Sequence, residues 1–345
     1  MGCGEGSGKK TSAIHNVHHD NSSAIIKNLK MTEQEALESH ARAQELQVAG
    51  RHAEALERIG QAAAYFAETE GPHSPDLANI LDDSAESLLA LCQYEEAERA
   101  ARQAHEIIDQ VRDLLDHETR GALSPRALSV WGTTLRELGK YDEASVPLLE
   151  AIEEAERCFG PIAPEVAGHL NNYGVLCKYW GKFDEGEQHY LRALKLLEDL
   201  YGVESLETAT LYHNLGGLEH SRGDYDKGEP LARKAYEIRR ASLGDKHEAA
   251  IADAVAWGGL LDGQARYSES IPIYQHALTH YEQLFGPDHF EVAATLNNLG
   301  MALASQGRAM LERSLAIKMK LFGADHPEVR LTAANLKRIG DIGSR

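Results

Sequence analysis

Small and apolar residues recur along the chain at an interval of 42 positions. One column of small residues marks the centres of seven repeats, which are Ala43, Ala85, Gly132, Gly174, Gly216, Gly258 and Gly300. Four further columns keep this register in most repeats: glycine 7 positions after the centre, an aromatic residue at 9, alanine at 19 and glycine at 28. Such agreement between independent columns indicates an internal structural repeat.

Two helices are predicted within each repeat. Around the centre, apolar residues are spaced i, i+3 and i+7, as at Leu170, Tyr173 and Cys177, which is the pattern of one buried helix face. The first glycine is expected to end this helix A, and a segment such as residues 141–144 begins helix B, which the second glycine ends. Helix A is predicted to have about 16 residues and helix B about 18, each roughly 25 Å long.

A second column of small residues predicts how the helices pack. It lies 12 positions after the centre, in helix B, and holds Ala55, Ala97, Ala144, Gly186, Gly228 and Ser270. A small side chain there lets helix A approach closely. Because one helix pair cannot bury such faces alone, neighbouring repeats must stack. The pattern therefore predicts an all-α solenoid of about seven stacked helix pairs, closed by a C-terminal capping helix around residues 326–339.

Two irregularities interrupt the register. Ala85 and Gly132 are 47 residues apart, which places a five-residue insertion around residues 113–124. Only 16 residues separate Gly307 from Gly323, so the last repeat is predicted to lack five residues at the start of helix B. Three prolines fall inside predicted helices B: Pro147, Pro230 and Pro272. Each is expected to bend its helix or to delay the helix start.

Segments that join one repeat to the next resemble a known family. Residues 285–300 (FGPDHFEVAATLNNLG) and 322–329 (FGADHPEV) are similar to the 42-residue tetratricopeptide repeats of kinesin light chains and nephrocystin-3. The resemblance covers residues 33–340, nearly the whole chain. It implies a right-handed superhelical solenoid whose concave groove is lined by helices A.

The resemblance also implies a peptide-binding groove. In kinesin light chains, asparagines in the groove hold the backbone of short extended peptides, and basic residues bind acidic side chains. The matching positions in this chain are Asn171, Asn297 and, with histidine in place of asparagine, His213. Arg136 and Lys178 are the basic residues that stand one or two helical turns further along.

Two interpretations of these polar and basic residues remain open. Three repeats depart from the asparagine pattern, with His40, Asp82 and Val255 at the matching positions. A basic cluster in an otherwise acidic chain consists of Arg136, Lys140, Lys178 and Lys182. Either these groups bind an acidic peptide with an affinity that falls as salt rises, or the amides bond neighbouring helical turns and the charges belong to a solvated surface.

Charge and composition exclude several classes of function. The chain has 35 Lys and Arg residues against 54 Asp and Glu residues, a formal net charge of −19. This balance argues against nucleic acid as the main partner, because phosphates are bound by clustered basic residues. No nucleophile–base arrangement, phosphate loop or metal-ligand spacing stands out, so no catalysis, cofactor or metal site is expected. No run of 18 apolar residues predicts a membrane-spanning helix.

The first 31 residues are predicted to be a flexible tail. Gly2 could accept myristate and Cys3 palmitate, and the two chains together would anchor the protein to a membrane. The alternative is an unmodified leader. A His-rich tract in the same segment consists of His15, His18 and His19. Without a structured set of further ligands, a solvated tail is favoured over a metal site there.

The remaining chain is predicted to be one interaction domain. A capping-box pattern at Thr32 and Glu35 opens the first helix, so the solenoid is predicted to span residues 32–340, followed by a short tail at 341–345. Its predicted function is that of a non-catalytic cytoplasmic scaffold or adaptor, associated with a membrane only through acylation, that binds a short extended acidic segment of a protein partner. Two alternatives stay open: a structural or self-associating solenoid without a peptide ligand, and a regulatory sensor module for a separate effector.

Overall fold

The structure, a computed structural model, describes residues 31–342 of the chain. Within that range it contains fifteen α-helices, two 3-10 turns and no strand, which confirms the predicted all-α fold. The helices A are α1 (Glu33–Val48), α3 (Pro75–Ala90), α5 (His117–Glu137), α7 (Pro164–Trp180), α9 (Leu206–Arg222), α11 (Glu248–Gly263) and α13 (Phe290–Ala302). The helices B are α2 (His52–Thr69), α4 (Tyr94–Val111), α6 (Tyr141–Phe159), α8 (Phe183–Tyr201), α10 (Tyr225–Leu243), α12 (Tyr267–Phe285) and α14 (Arg308–Phe322), and α15 (Pro327–Ile342) follows them.

The described residues divide into two compact halves, residues 31–176 and 177–342. Helix α7 crosses the division, so its last turn belongs to the C-terminal half. In the N-terminal half, each helix from α1 to α6 packs against the next, and α3 also packs against α5. In the C-terminal half, the helices from α8 to α15 pack in the same order, and α9 also packs against α11. The predicted stacking of helix pairs is therefore present within each half.

The small residues lie where helices A and B of one repeat cross. All six members of the helix B column are buried, from Ala55 to Ser270. The centre glycine Gly132 serves the same crossing, since a Cβ added to it would lie 2.5 Å from Cγ of Leu148. In the helix B column, a Cβ added to Gly228 would lie 3.0 Å from Cβ of Glu219 on helix A of the same repeat and 2.6 Å from a methyl carbon of Leu260 on helix A of the next. This confirms that the small residues let neighbouring helices approach closely.

A residue with positive φ follows most helices A. Gly139 has φ of +72° and Gly223 of +84°, a conformation that glycine adopts without a clash of Cβ. Two repeats keep this conformation in the same column without a glycine, at Cys92 and Ala265, both with φ of +58°, and in the last repeat Ala304 takes it with φ of +50°. An L residue in the left-handed region costs about 1–2 kcal/mol, so the turn geometry is retained there against local strain.

The insertion lies where the register predicts it and adds helical structure. Residues Arg112–Leu114 form a 3-10 turn, and α5 begins soon afterwards at His117. Asp116 caps this helix, since its Oδ1 accepts from the backbone N of Thr119 at 2.9 Å. As a result α5 has 21 residues, whereas α3 has 16.

In the last repeat the missing residues come from both helices, which corrects the expectation that helix B alone is shortened. Helix α13 ends at Ala302 after 13 residues, and the 3-10 turn Ala304–Gly307 leads directly into α14. Gly307 has φ of −83° and does not take the left-handed conformation of its column. Its backbone lies against Gly300 instead, because an added Cβ would be 1.9 Å from the carbonyl oxygen of that residue.

The prolines in helices B do not delay the start of their helices. Helices α6, α10 and α12 begin at Tyr141, Tyr225 and Tyr267, the repeat position at which α8 begins with Phe183. The expectation of a late start is therefore wrong. A proline six or seven residues into a helix removes only one hydrogen bond near the first turn, and the preceding residues keep their helical conformation.

The N-terminal boundary of the helices agrees with the capping-box pattern. Thr32 N donates to the Glu35 carboxylate at 2.7 Å, and Glu35 N donates to Thr32 Oγ1 at 3.3 Å. Gly2, Cys3 and the His-rich tract lie outside the described residues. None of the helices between residues 31 and 342 combines the length and the apolar character that crossing a membrane requires.

Candidate functional site: the polar face of helices A

The five residues predicted to line a groove lie on four helices A. Arg136 on α5 and Asn171 on α7 belong to the N-terminal half. Lys178 at the end of α7, His213 on α9 and Asn297 on α13 belong to the C-terminal half. Their joint action in peptide binding stays a prediction, and each half is described separately below.

Side chains three positions before a repeat centre bond to the helix after next, which is the following helix A or, in the last repeat, α15. In the N-terminal half, Asn172 Nδ2 donates to Ser129 Oγ at 2.8 Å and joins α7 to α5. In the C-terminal half, Asn335 Nδ2 donates to Asn297 Oδ1 at 3.1 Å and joins α15 to α13. Asn297 is only 8 % exposed, and its own amide lies 3.3 Å from Asn298 Oδ1. At these positions the polar residues tie neighbouring repeats together.

We call the polar residues of α1, α3 and α5 the N-terminal face, and a network around Asp83 fills it. Asp83 Oδ2 accepts from His40 Nε2 at 2.6 Å and from Gln44 Nε2 at 3.0 Å, both on α1. From α5, Arg126 pairs with Asp83 Oδ1 and donates to Asn79 Oδ1 at 2.5 Å. Asp83 is 3 % exposed. Burial alone would raise the pKa of Asp83, but the His40 hydrogen bond and the Arg126 charge outweigh it, so the pKa lies below its usual value.

The neighbouring carboxyl, Asp82, is in the opposite situation. It is 2 % exposed, and its Oδ1 has no hydrogen-bond partner among the residues described. Burial raises the pKa of Asp82 well above its usual value, with Arg126 opposing and the charges of Glu86 and Asp83 adding to the rise. Asp83 therefore favours the ionised form and Asp82 the protonated form, although they are adjacent in sequence.

His213 belongs to a smaller cluster in the C-terminal half. Its Nδ1 donates to Asp253 Oδ1 at 2.7 Å, from α9 to α11. The same oxygen accepts from Arg239 Nη1 at 2.6 Å, and Arg239 Nη2 donates to Thr210 Oγ1 at 2.8 Å. Asp253 is fully buried, whereas the side chain of His213 is 35 % exposed. The imidazole thus joins two helices A through one nitrogen and keeps part of its surface accessible.

We call Lys178 and the polar and glycine residues of α9 and α11 the C-terminal face, and it is open where the N-terminal face is filled. Gly217 on α9 and Gly259 on α11 each follow a repeat centre. The nearest group to a Cβ added to Gly217 is Lys178 Nζ at 3.9 Å, and the nearest to one added to Gly259 is His220 Nε2 at 3.6 Å. Burial and then the Lys178 charge lower the pKa of His220, whereas Asp262 opposes them. Helix backbone is therefore uncovered beside a cation and an imidazole.

The predicted basic cluster is divided between the halves. In the N-terminal half, the side chain of Arg136 is only 14 % exposed and donates to Glu137 Oε1 at 2.5 Å. In the C-terminal half, Lys182 Nζ lies 3.1 Å from the centroid of the Trp180 ring, a cation–π contact. Of this cluster, Lys178 is the residue that lies beside the uncovered backbone at Gly217.

Sequence reasoning missed both the Asp83 network and the two open glycines. Asp83 and Arg126 are 43 residues apart, and no local pattern joins them. The glycines did carry a signal, since they appear as the pairs Gly216–Gly217 and Gly258–Gly259 at the same position of consecutive repeats. The first glycine of each pair serves the crossing with helix B, and the second is available for another purpose.

Comparisons with known proteins identify the type of repeat. A family profile described as tetratricopeptide repeat matches residues 34–110, 165–241, 207–264 and 254–309, and a second profile of the same description matches residues 292–328. The matches leave out residues 111–164, which contain the insertion and the third repeat. A search of curated proteins finds no match.

Several solved structures share the fold at low sequence identity. BtubC from P. vanneervenii is 19 % identical with a TM-score of 0.51, over 74 % of this chain and 92 % of the BtubC chain. A Rap protein in complex with competence and sporulation factor is 16 % identical with a TM-score of 0.52, over 94 % of this chain and 80 % of the other. A Signal Transduction ATPase with Numerous Domains from Pyrococcus horikoshii, which has a tetratricopeptide repeat sensor, is 15 % identical with a TM-score of 0.60, over 95 % of this chain and 47 % of the other. At these identities the likeness concerns the fold alone.

Proposed function

Because the chain belongs to the tetratricopeptide repeat family, we propose that it is a non-catalytic scaffold or adaptor that binds short extended acidic peptides on its helices A. Repeats of this family typically act as interaction scaffolds without catalysis. A protein-interaction or regulatory module is therefore the general function, and peptide binding is the specific one proposed.

The observation that carries the proposal is the uncovered backbone at Gly217 and Gly259. To bind there, an extended peptide must come close to the helix surface. A glycine has no Cβ atom, so the peptide can approach the helix backbone at these two positions. Lys178 beside the first glycine supplies a charge-assisted hydrogen bond to a carboxylate of the ligand. His220 beside the second glycine offers one N–H donor in its neutral form, which its lowered pKa favours.

The other predicted residues enter the proposal with different roles. In the N-terminal half, Asn171 is proposed to hold a peptide backbone and Arg136 an acidic side chain. His213 already bonds Asp253 through Nδ1, so it is proposed to bind the peptide through Nε2. Asn297 already accepts from Asn335 through Oδ1, so it is proposed to donate to the peptide through Nδ2. These two bonds also support the alternative, in which the polar residues only join one repeat to the next.

The proposal can be tested by selecting short peptides from a random library on the full chain and measuring their affinities by fluorescence anisotropy. Lys178→Ala is compared with Lys195→Ala, which removes the same charge from an exposed site on α8, where Lys195 pairs with Asp199 at 2.6 Å. We expect the selected peptides to be acidic. Lys178→Ala should weaken their binding about tenfold, because one charge-assisted hydrogen bond is lost. Lys195→Ala should leave it unchanged.

Equal affinities for the two lysine variants would contradict the role of Lys178. Failure of the folded chain to select any peptide would favour the structural or self-associating alternative. The double variant Asn171→Ala/Asn297→Ala, with its fold checked by circular dichroism, is expected to lose peptide capture. Retained capture by a folded double variant would remove the two asparagines from the site.

A regulatory sensor is the second candidate function. It is favoured by the similarity of fold to the ATPase with a tetratricopeptide repeat sensor and to the Rap protein solved with a bound factor. Hydrogen–deuterium exchange with and without a selected peptide separates the two functions. Protection confined to α9 and α11 fits a scaffold, whereas protection that spreads to helices away from the peptide fits a sensor.

A further inference from the structure

Two histidines lie one helical turn apart on α12, away from the polar faces of helices A. His276 and His280 are four residues apart, and residues with this spacing share one face of a helix. The centroids of their rings are 4.2 Å apart, and the ring planes are inclined by 38°. His276 is exposed and His280 is half-buried.

The hydrogen bond of His280 determines which of its nitrogens is available. Nδ1 of His280 lies 2.9 Å from the carbonyl oxygen of His276. A carbonyl oxygen only accepts, so Nδ1 carries the hydrogen, and Nε2 of the neutral ring keeps its lone pair. Histidine ligands of metal ions are commonly oriented in this way, by a bond from the second ring nitrogen to a backbone carbonyl.

The ring of His276 is also suited to act as a ligand. Within residues 31–342 no hydrogen bond of this ring is found, so the nitrogen that carries the lone pair in the neutral ring is available to an ion. In its neutral form, each imidazole ring offers one nitrogen lone pair to a metal ion.

We propose that His276 and His280 form a two-histidine site for a divalent first-row transition metal ion such as Zn²⁺ or Ni²⁺. The two imidazoles replace two water molecules of the hydrated ion, and no electron or proton is transferred. One ion would bind a nitrogen of each ring at about 2.0–2.1 Å. The two nitrogens must therefore lie close together, and two rings in contact can place them so. Across residues 31–342, no group of three or more His, Cys, Asp or Glu side chains could hold a metal ion. The remaining positions of the bound ion are therefore filled by water or by a ligand from outside the chain.

The test uses the full chain with the tail histidines His15, His18 and His19 changed to glutamine, so that the measured affinity contains no contribution from that tract. Ni²⁺ affinity is measured in this background by isothermal titration, and His276→Gln and His280→Gln are then added singly. The matched control is His189→Gln. Nδ1 of His189 lies 2.9 Å from the carbonyl oxygen of Glu185, the same arrangement as in His280 but with glutamate in place of the first histidine.

We expect one Ni²⁺ per chain and an affinity that either single substitution on α12 lowers about 100-fold, because the second imidazole then no longer acts as a linked ligand. His189→Gln should leave the affinity unchanged. As a second measurement, which needs no substitution on α12, Zn²⁺ should shift the imidazole NMR signals of His276 and His280 together. An affinity unchanged by His276→Gln, or Zn²⁺ shifts confined to other histidines, would overturn the site.

Discussion

The polar faces of the two halves use the same repeat positions but are filled differently. The position after the repeat centre holds Gln44 and Glu86 in the N-terminal half, and both bond into the network of Asp83 and Arg126. The corresponding residues of α9 and α11 are glycines, and helix backbone is uncovered there. At this position, exposed side chains join the N-terminal face to a network centred on the buried Asp83, whereas no side chain covers the helix on the C-terminal face.

This difference shows that the same repeat position can carry a hydrogen-bond network in one half and leave the helix backbone uncovered in the other. A buried network requires that every partner be present, since a charge left alone away from water is costly. An open glycine position requires only that nothing fill it. At these four positions, the residue that follows the repeat centre decides whether a side chain covers the helix A face.

The largest expected effect comes from breaking the N-terminal network with Asp83→Asn. The neutral amide leaves the Arg126 charge without its buried anionic partner, so the free energy of unfolding at pH 7 should fall by about 3 kcal/mol in urea denaturation. Because the fold lowers the pKa of Asp83, its contribution is present above the ordinary value of about 4 and is lost as pH falls through the folded value. The difference in free energy of unfolding between Asp83→Asn and the wild type should therefore become smaller as the pH is lowered.

Asp82→Asn is the matched control, since it makes the same change one residue away. The fold raises the pKa of Asp82, so stability from this group is complete below its ordinary pKa and declines as pH rises through the folded value. An amide is uncharged like the protonated acid, so the free energy of unfolding of the variant should exceed that of the wild type by about 1 kcal/mol at pH 7. Near pH 3 the two free energies of unfolding should be equal. Equal losses in both variants at pH 7 would contradict the opposite states assigned to the two carboxyls.

An intermediate effect is expected from adjacent glycines on α9. A Cβ on Gly216 would lie 3.0 Å from Ala232 Cβ and 3.1 Å from Ala232 N, and backbone cannot move aside easily. Gly216→Ala should therefore lower the free energy of unfolding by about 1 kcal/mol. Gly217→Ala meets nothing closer than 3.9 Å and should raise it by about 1 kcal/mol, because alanine favours a helix over glycine. Urea denaturation of both variants measures the difference, and a loss in Gly217→Ala would mean that the C-terminal face is not open.

The repeat architecture could be predicted from the sequence because its glycines have strict steric reasons. Gly132 must let Leu148 approach, and Gly139 must adopt positive φ, so both recur in register. The last repeat could not be predicted in the same way. There a deletion moved Gly307 from a helix end to a contact with Gly300, and its place in the column remained although its role had changed.

The candidate site could be predicted only in part, because its residues act in pairs from different repeats. His40 and Arg126 reach Asp83 from opposite directions along the chain, each 43 residues away. Whether a charged residue on a helix meets such partners depends on side chains one repeat away, and periodicity within one helix does not reveal it. Gly217 was hidden for another reason, since it stands beside a glycine that already has a structural role.

The smallest effect is expected at the turns, where the two halves share one constraint. Cys92 in the N-terminal half and Ala265 in the C-terminal half both hold φ of +58° after a helix A. Glycine at either position removes strain of about 1–2 kcal/mol from the folded protein, but it also raises the entropy of the unfolded chain. Cys92→Gly and Ala265→Gly should therefore each raise the free energy of unfolding by about 0.5 kcal/mol. The reverse substitution, Gly139→Ala, adds a Cβ that meets nothing within 4 Å and should destabilise through φ alone. Equal gains at Cys92 and Ala265 in thermal unfolding would place the difference between the halves in their polar faces, whereas a gain in only one half would show that the turns differ as well.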